Sequence, residues 1–276
     1  TRGRERSRNP KSILREIQNL VSDGVVEVML LGQNVNSYKG KCDGEVWNFP
    51  RLLEEINKIE GLERIRFMTS HPKDMSDELI KAYGKLDKLS KYVHLPVQSG
   101  SNNVLRKMNR RYKSEDYLIL IDKLRAEVPD ITISTDIIVG FPGETEDDFL
   151  ETLKLVEAVR YDSAFTFLYS VRKDTPAEKF KEQVDEAVKH ERFNRLVELV
   201  NNISAEKNEK YVGNVYKVLV DGYSKTDATV LSGRTDGFKL VNFRVDSDAS
   251  DMVGKIVDVK ITNAKTFSLE GEIILG

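Results

Sequence analysis

The sequence predicts an α/β chain. A parallel β/α sheet or open barrel spans residues 1–208, and a small antiparallel β-barrel spans residues 209–276. Two observations predict this. Up to Leu168, short apolar runs alternate with stretches of helical period, strand then helix, several times over. Alternation of that kind builds parallel sheets with right-handed crossovers. After one long helical stretch, Val184–Glu209, the helical period vanishes and short strand-like runs separated by Asp-Gly and Ser-Gly turns take over, the pattern of a small barrel. The strands of the first part read as near-continuous apolar runs, as in a sheet covered on both faces.

Each element has its own signal. Pro10–Asp23 is a helix capped by Asn9, with Pro10 at its first position, Ile13, Leu14, Ile17, Leu20 and Val21 on one face, and Gly24 after it. Val25–Leu31 is a buried strand. A loop with Gly40, Cys42 and Gly44 precedes a helix from Pro50 to about Glu60. Ile65–Met68 is a strand, Asp77 to about Leu86 a helix, Tyr92–Leu95 a strand and Ser101–Met108 a short helix. Ser114–Glu127 is a helix opened by a capping Ser, with Glu115 and Asp116 in its first turn. Ile131–Val139 is a strand, Thr145–Val159 a helix whose Thr145 and Asp148 form a capping pair, and Ala164–Leu168 a strand. The long helix carries an apolar stripe of Val188, Phe193, Leu196, Val197, Val200 and Ile203. Barrel strands follow at Val215–Val220, Ala228–Leu231, Leu240–Phe243, Ile256–Ile261 and Ser268–Ile274.

The composition excludes several classes. With 43 Lys and Arg against 45 Asp and Glu, the net charge is -2, which argues against a non-specific nucleic-acid coat while leaving local patches open. No run approaches the roughly 18 apolar residues of a membrane span. The basic segment Thr1–Arg6 has no apolar region behind it and does not read as a signal peptide. The one cysteine, Cys42, excludes an intrachain disulfide and any all-cysteine metal site made by this chain alone.

In parallel α/β folds, sites form at the carboxyl ends of the strands. There the sequence places Gln33 and Asn34, then Ser70 and His71, then Gln98 and Ser99, then Asp136 with Gly140 and Phe141, then Tyr169 and Ser170. Polar loops are ordinary; amides, hydroxyls and a carboxylate at successive strand ends favour one hydrogen-bonding cavity for a polar ligand. Gly140-Phe141-Pro142-Gly143 lets backbone approach that ligand, and tight turns also use Gly for geometry alone. His94, inside a strand, reads as a satisfied core residue, and His190 as solvated. No histidine pair has metal-ligand spacing. Arg2, Arg4, Arg6 and Arg8 fit either a solvated tail or phosphate contacts.

Five stretches bear a family resemblance: Thr1–Arg8, Gly32–Tyr38, Ser70–Lys73, His94–Ser101 and Ser134–Thr145. With Ser163–Ser170, Gly233–Thr235 and Lys239–Phe243, they resemble the radical S-adenosylmethionine methylthiotransferases, of the branch that modifies tRNA. The resemblance implies a partial radical SAM β/α barrel followed by an RNA-binding TRAM barrel. It implies a cytoplasmic enzyme that puts a methylthio group on carbon 2 of an isopentenylated adenosine beside the anticodon. S-adenosylmethionine would serve as cofactor, with two [4Fe-4S] clusters in the full-length enzyme. The family's cluster-binding cysteine loop would lie before Thr1, so this chain would hold no cluster and be inactive by itself, since a cubane takes three or four thiolates.

The resemblance also implies roles. Gln33, Asn34, Ser70, Gln98, Ser99, Asp136, Gly140 and Phe141 would hold S-adenosylmethionine, although Asp136 and Gly143 replace residues of the superfamily's usual adenine motif. The tRNA anticodon stem-loop would be bound by Arg2, Arg4, Lys217, Arg234 and Lys239, the last two exposed, with Phe243 in the barrel core. An exposed sheet edge would leave strand pairing between copies open. The competing readings are a sister enzyme acting on a ribosomal protein or on threonylcarbamoyl-adenosine tRNA, a non-catalytic RNA-binding fragment, and an unrelated hydrolase or lyase.

Overall fold

The computed structural model describes residues 6–68, 70–171, 175–224, 227–244 and 250–274. Helix α1 (Pro10–Ser22) starts where Asn9 Oδ1 accepts the Ser12 N–H at 3.3 Å. Strand β1 (Glu27–Leu30) is followed by a hairpin, β2 (Lys39–Cys42) and β3 (Glu45–Asn48), where the sequence suggested a plain loop. The turn Asp43–Gly44, with both residues at positive φ, closes that hairpin. Then come α2 (Phe49–Asn57), β4 (Arg64–Phe67), α3 (Asp77–Lys85), β5 (Tyr92–His94), α4 (Asn102–Lys107) and α5 (Ser114–Glu127). Ser114 is the first helical residue of α5 rather than its cap. Asp116 Oδ2 accepts the Lys113 N–H, and Asn102 Oδ1 accepts the Ser114 N–H. Strand β6 (Thr132–Val139), α6 (Glu146–Val159) and β7 (Ser163–Leu168) complete the alternation. Thr145 and Asp148 form the expected capping box at α6.

The parallel strands lie in an arc. β1 pairs with β4, and β5, β6 and β7 pair in that order. A bridge between Ile65 and Leu89, just before β5, joins the two groups. Along each strand one set of side chains (Val28, Ile65, Phe67, Val93, Ile133, Ile137) enters the core shared with the helices. The alternate set is not apolar: it includes Glu27, Arg64, Arg66, His94, Ser134 and Asp136. This corrects the expectation of apolar runs on both faces, and of a buried β1: Met29 and Leu31 are exposed. Period-two alternation is what a half-buried strand requires.

Helix α7 (Glu186–Glu209), capped by Asp185, runs from the arc to the second domain. Its buried stripe is Lys189, Arg192, Leu196, Val200, Ile203 and Ser204, whereas Val188 is exposed. Strands β8 (Val215–Tyr223), β9 (Val230–Thr235), β10 (Leu240–Arg244), β11 (Ile256–Ala264) and β12 (Leu269–Ile273) close into a barrel in the order β10-β12-β11-β8-β9. All neighbours are antiparallel except β10 and β12. Five is an odd number, so strand direction cannot alternate all the way round, and one parallel pair is geometrically necessary. Phe243 lies in the barrel core, as expected.

The small barrel plugs the amino-terminal end of the arc with its β9–β10 turn. Arg66, 1% exposed, donates to the carbonyls of Thr235 at 2.6 Å and Asp236 at 2.8 Å and to Ser90 Oγ, and pairs with Glu27 at 3.0 Å. Arg64 donates to the Arg234 carbonyl and also pairs with Glu27. The Asp236 carboxylate accepts the Lys91 N–H at 2.9 Å. Phe238, whose backbone holds φ 64°, packs its ring on Tyr92, with the guanidiniums of Arg66 and Arg234 4.9 and 4.4 Å from the ring centroid. Gly237 is needed because a Cβ there would stand 2.4 Å from Thr132 Oγ1. On the other side of the turn Lys239 is buried. It pairs with Asp162, which Lys207 also neutralises at 2.6 Å, and donates to Asn208 Oδ1. Lys239 was expected on the surface as an RNA contact; the structure makes it a domain anchor.

Removing one member of a buried ion pair leaves the other uncompensated, at a cost of about 3–5 kcal/mol. Arg66→Ala leaves Glu27 with Arg64 as its remaining partner and takes the guanidinium donors from the Thr235 and Asp236 carbonyls, so we expect a loss toward the lower end of that range, about 3 kcal/mol, in urea unfolding. A loss below about 1 kcal/mol would show that this contact does not hold the domains together.

Candidate functional site

The carboxyl ends of the arc strands carry the residues singled out from the sequence. Gln33 is exposed after β1, on the wall of a cleft of about 440 Å³ that also includes Asn34, Arg6, Arg8 and the α1 face. Asn34 Nδ2 donates to Asp74 Oδ2 at 2.7 Å, while Asn34 Oδ1 is buried without a hydrogen-bond partner. Asn36 makes a reciprocal pair with the His71 backbone, accepting its N–H and donating to its carbonyl, both at 3.0 Å. This couples the ends of β1 and β4. At the end of β4, Ser70 is buried and its Oγ also lacks a partner. Two orphaned polar oxygens thus stand at adjacent strand ends, where burial without a partner is costly.

Past β5 the chain stays against β6: Gln98 N–H donates to the Asp136 carbonyl, and the Gln98 carbonyl accepts from Ile138 N–H. Gln98 holds φ 72°, a left-handed conformation uncommon for a residue with a side chain. Ser99 is turned away. It is fully buried, with Oγ 3.2 Å from Thr152 Oγ1 on α6, so it fastens a helix rather than facing the tips.

On the concave face below the tips, His94 Nδ1 lies 2.8 Å from Ser134 Oγ, which is 2.6 Å from the Tyr92 hydroxyl, and His94 Nε2 is 3.5 Å from Asp136 Oδ1. His94 is buried as expected, but within a polar chain open to the concave face through the partly exposed Asp136. Phe165, edge-on to His94, and Phe167 are each about half exposed on β7. The sequence reading missed these two; their i, i+2 spacing places both rings on one face.

At the end of β6, Gly140 has φ 76°, and a Cβ there would stand 2.4 Å from Lys189 Cγ. Its N–H donates to Glu144 Oε1 at 3.0 Å. Phe141 packs edge-on against Tyr169 and Phe180. Glu144 is buried beside Arg192 at 3.1 Å, and burial pushes its carboxyl up to about 7. Among the RNA candidates, Lys217 is exposed, Arg234 is half-buried over Phe238, and Arg2 and Arg4 lie outside the described residues. Among the described residues no group of three or more His, Cys, Asp or Glu could hold a metal ion, and the single cysteine, Cys42, is buried in β2.

An open parallel arc with polar strand tips, joined to a five-stranded barrel, defines a class, and comparison with known proteins agrees with it. Residues 1–156 match the Radical SAM superfamily and residues 209–274 the TRAM domain. The chain belongs to the radical SAM superfamily. It is similar to proteins called tRNA-2-methylthio-N(6)-dimethylallyladenosine synthase. The one from Clostridium botulinum is 59% identical over 273 residues, 99% of this chain and 60% of that protein. The one from Clostridium tetani is 58% identical over 271 residues, 98% of this chain and 59% of that protein. The chain therefore spans about 60% of the length of these relatives. Among solved structures, coproporphyrinogen III oxidase (HemN) from Escherichia coli, a radical SAM enzyme, aligns with TM-score 0.51 at 14% identity, covering 82% of this chain and 60% of that one. That likeness concerns the fold alone. No helix among the described residues is long and apolar enough to cross a membrane.

Glu144 yields a pH prediction. Its folded pKa of about 7 lies above the ordinary 4.5, so between those values the folded chain holds a proton the unfolded chain has lost. Stability from this group is full below pH 4.5 and is lost as pH rises through 7. Glu144→Gln, which resembles the protonated form and leaves Arg192 its bond to Glu146, should flatten that decline by on the order of 2 kcal/mol. Thermal melts from acid to neutral pH check this; parallel curves for both proteins would refute it.

Proposed function

We propose that this chain is the cofactor-binding and RNA-docking part of a tRNA methylthiotransferase, which places a methylthio group on carbon 2 of a dimethylallyl-adenosine next to the anticodon. The observation that carries the reading is that 59% identity to a protein named for this reaction runs through both the arc and the small barrel. A catalytic fold joined to an RNA-binding fold suits an enzyme acting on a base within a folded RNA.

The strand tips fit S-adenosylmethionine in their donor set. The orphaned Asn34 Oδ1 and Ser70 Oγ would accept from and donate to its amino acid part, with Gln33 and Gln98 beside them. Asp136 would take ribose hydroxyls, and Gly140 and Phe141 would lie along the base. When bound, S-adenosylmethionine supplies hydrogen-atom abstraction through its adenosyl carbon. The protein's part is to orient this carbon toward the substrate and exclude water. Ser99 and Lys239 have no place in this arrangement. A cubane cluster does not fit the residues of this chain, whose 276 positions hold one cysteine, and no step through a cluster is derived from them.

The target base would enter the concave face, where Phe165 and Phe167 offer stacking surfaces and His94 and Asp136 polar edges. The substrate loop belongs to the anticodon stem-loop, held in part by Lys217 on the small barrel. β1 has no strand on its second edge among the described residues, so a further strand, from elsewhere in the protein or from a second copy, would pair there.

Two measurements test the reading. In a strain lacking the gene, mass spectrometry of tRNA nucleosides should show dimethylallyl-adenosine without its methylthio group; persistence of the methylthio form would overturn the assignment. Calorimetric titration with S-adenosylmethionine should show roughly tenfold weaker binding after Ser70→Ala or Asp136→Asn, the loss of about one charged hydrogen bond. Unchanged affinity would remove those residues from the cofactor site.

A further inference from the structure

The loop between α4 and α5 is used by none of the functions above. Five of the eight residues at positions 106–113 are basic: Arg106, Lys107, Arg110, Arg111 and Lys113. Solvated charge runs on protein surfaces ordinarily mix signs and pair. Here Lys107 pairs with Glu182, while Arg110, Arg111 and the facing Lys73 make no ion pair with a carboxylate among the described residues. Asp74, the carboxylate beside Lys73 in the chain, is held by Asn34. Lys73, Arg110 and Arg111, with His71, line a pocket of about 200 Å³.

The site is built rather than loose. Asn109 turns the loop at φ 57°. Tyr112 is buried under it, donating its hydroxyl to the Val97 carbonyl at 3.0 Å and packing edge-on against the His71 ring. Arg110 Nη1 stands 3.3 Å from His71 Nε2. Burial first, then the charge of Arg110, hold the His71 pKa below its ordinary value, with Asp74 opposing them and Lys73 adding a smaller lowering. The backbone of His71 is also what ties the ends of β1 and β4 together.

We propose that Lys73, Arg110 and Arg111 form a binding site for the phosphodiester backbone of RNA on the rim of the strand-tip pocket. Guanidiniums in a rigid concavity suit tetrahedral phosphate oxygens. A backbone seated there fixes the register of the strand and brings a neighbouring base to the concave face. This rests on the reading of the protein as a tRNA-modifying enzyme and adds a second RNA contact, on the catalytic domain itself.

The test measures binding of a short RNA hairpin with an adenine loop to the full chain, by fluorescence anisotropy over a range of salt. For Lys73→Gln/Arg111→Gln, both at exposed positions, we expect roughly tenfold weaker binding at low salt. We also expect a salt slope reduced by about 1.5, as for two lost phosphate contacts. Lys154→Gln, an exposed lysine on α6, should match the wild type. A double variant with unchanged slope would overturn the site while leaving the RNA reading intact. A wild-type chain that does not bind the hairpin would overturn both. Competition by adenosine monophosphate as effective as the hairpin, phosphate for phosphate, would show a free-nucleotide site and overturn the backbone assignment.

Discussion

Two guanidiniums inside the arc set the arrangement of the molecule. Arg64 and Arg66 point from β4 to the face opposite the helices, where burial of an unpaired charge is not tolerated. Glu27 alone cannot fill the donor set of two forks, and the remaining acceptors come from the turn at Arg234–Asp236. Hydrophobic residues of similar size would give comparable stability, because desolvation offsets much of what a buried pair gains. What the ionic version adds is direction: fixed forks accept the turn in one orientation, so the barrel sits against the amino-terminal ends of the strands in one pose.

That pose divides the concave face into two halves. The lower half is closed by Phe238 and the Asp236 turn. The upper half, from the Tyr92–Ser134–His94 chain to Asp136, Phe165 and Phe167, is left open toward the strand tips. In the proposed function, a ligand bound across the tips and a base entering from the side would meet there, with the plug covering the lower end. The small barrel thus has a part in shaping the cavity, besides the RNA contact proposed for it. Lys239, which reads as an exposed RNA contact in isolation, is buried in the domain contact, and Arg234 is half-buried over Phe238.

Much of the framework was legible because it depends on neighbours in the chain. The caps of α1 and α6 follow from Asn9 and from Thr145 with Asp148, and the order of strands follows from apolar runs between helices. The polar tips were legible for the same reason. The inner face was harder: Arg64-Ile65-Arg66-Phe67 and Tyr92-Val93-His94-Leu95 alternate in the sequence, and alternation was the signal to weigh over mean apolarity. Lys239 and Ser99 could not be placed at all from local pattern. Their partners, Asp162 and Thr152, lie far along the chain and are brought near only by the docking of the barrel and of α6. The hairpin at Lys39–Asn48 was hidden because its strands are short and largely polar.

A net charge of -2 conceals how unevenly the molecule distributes its pairing. Several lysines and arginines within and between the domains are matched: Arg192 with Glu144 and Glu146, Lys207 and Lys239 with Asp162, Arg160 with Glu206. Arg110 and Arg111 of the α4–α5 loop, without an ion pair among the described residues, lie at the carboxyl end of the arc, as do the orphaned oxygens of Asn34 and Ser70. Unpaired charge held rigidly at a rim, and unpaired hydrogen-bonding atoms held rigidly within it, are both costs to the folded chain that binding partners remove. Their occurrence at the same end, while the opposite end is plugged by the β9–β10 turn, is the physical reason to propose both the cofactor and the nucleic acid at the strand tips.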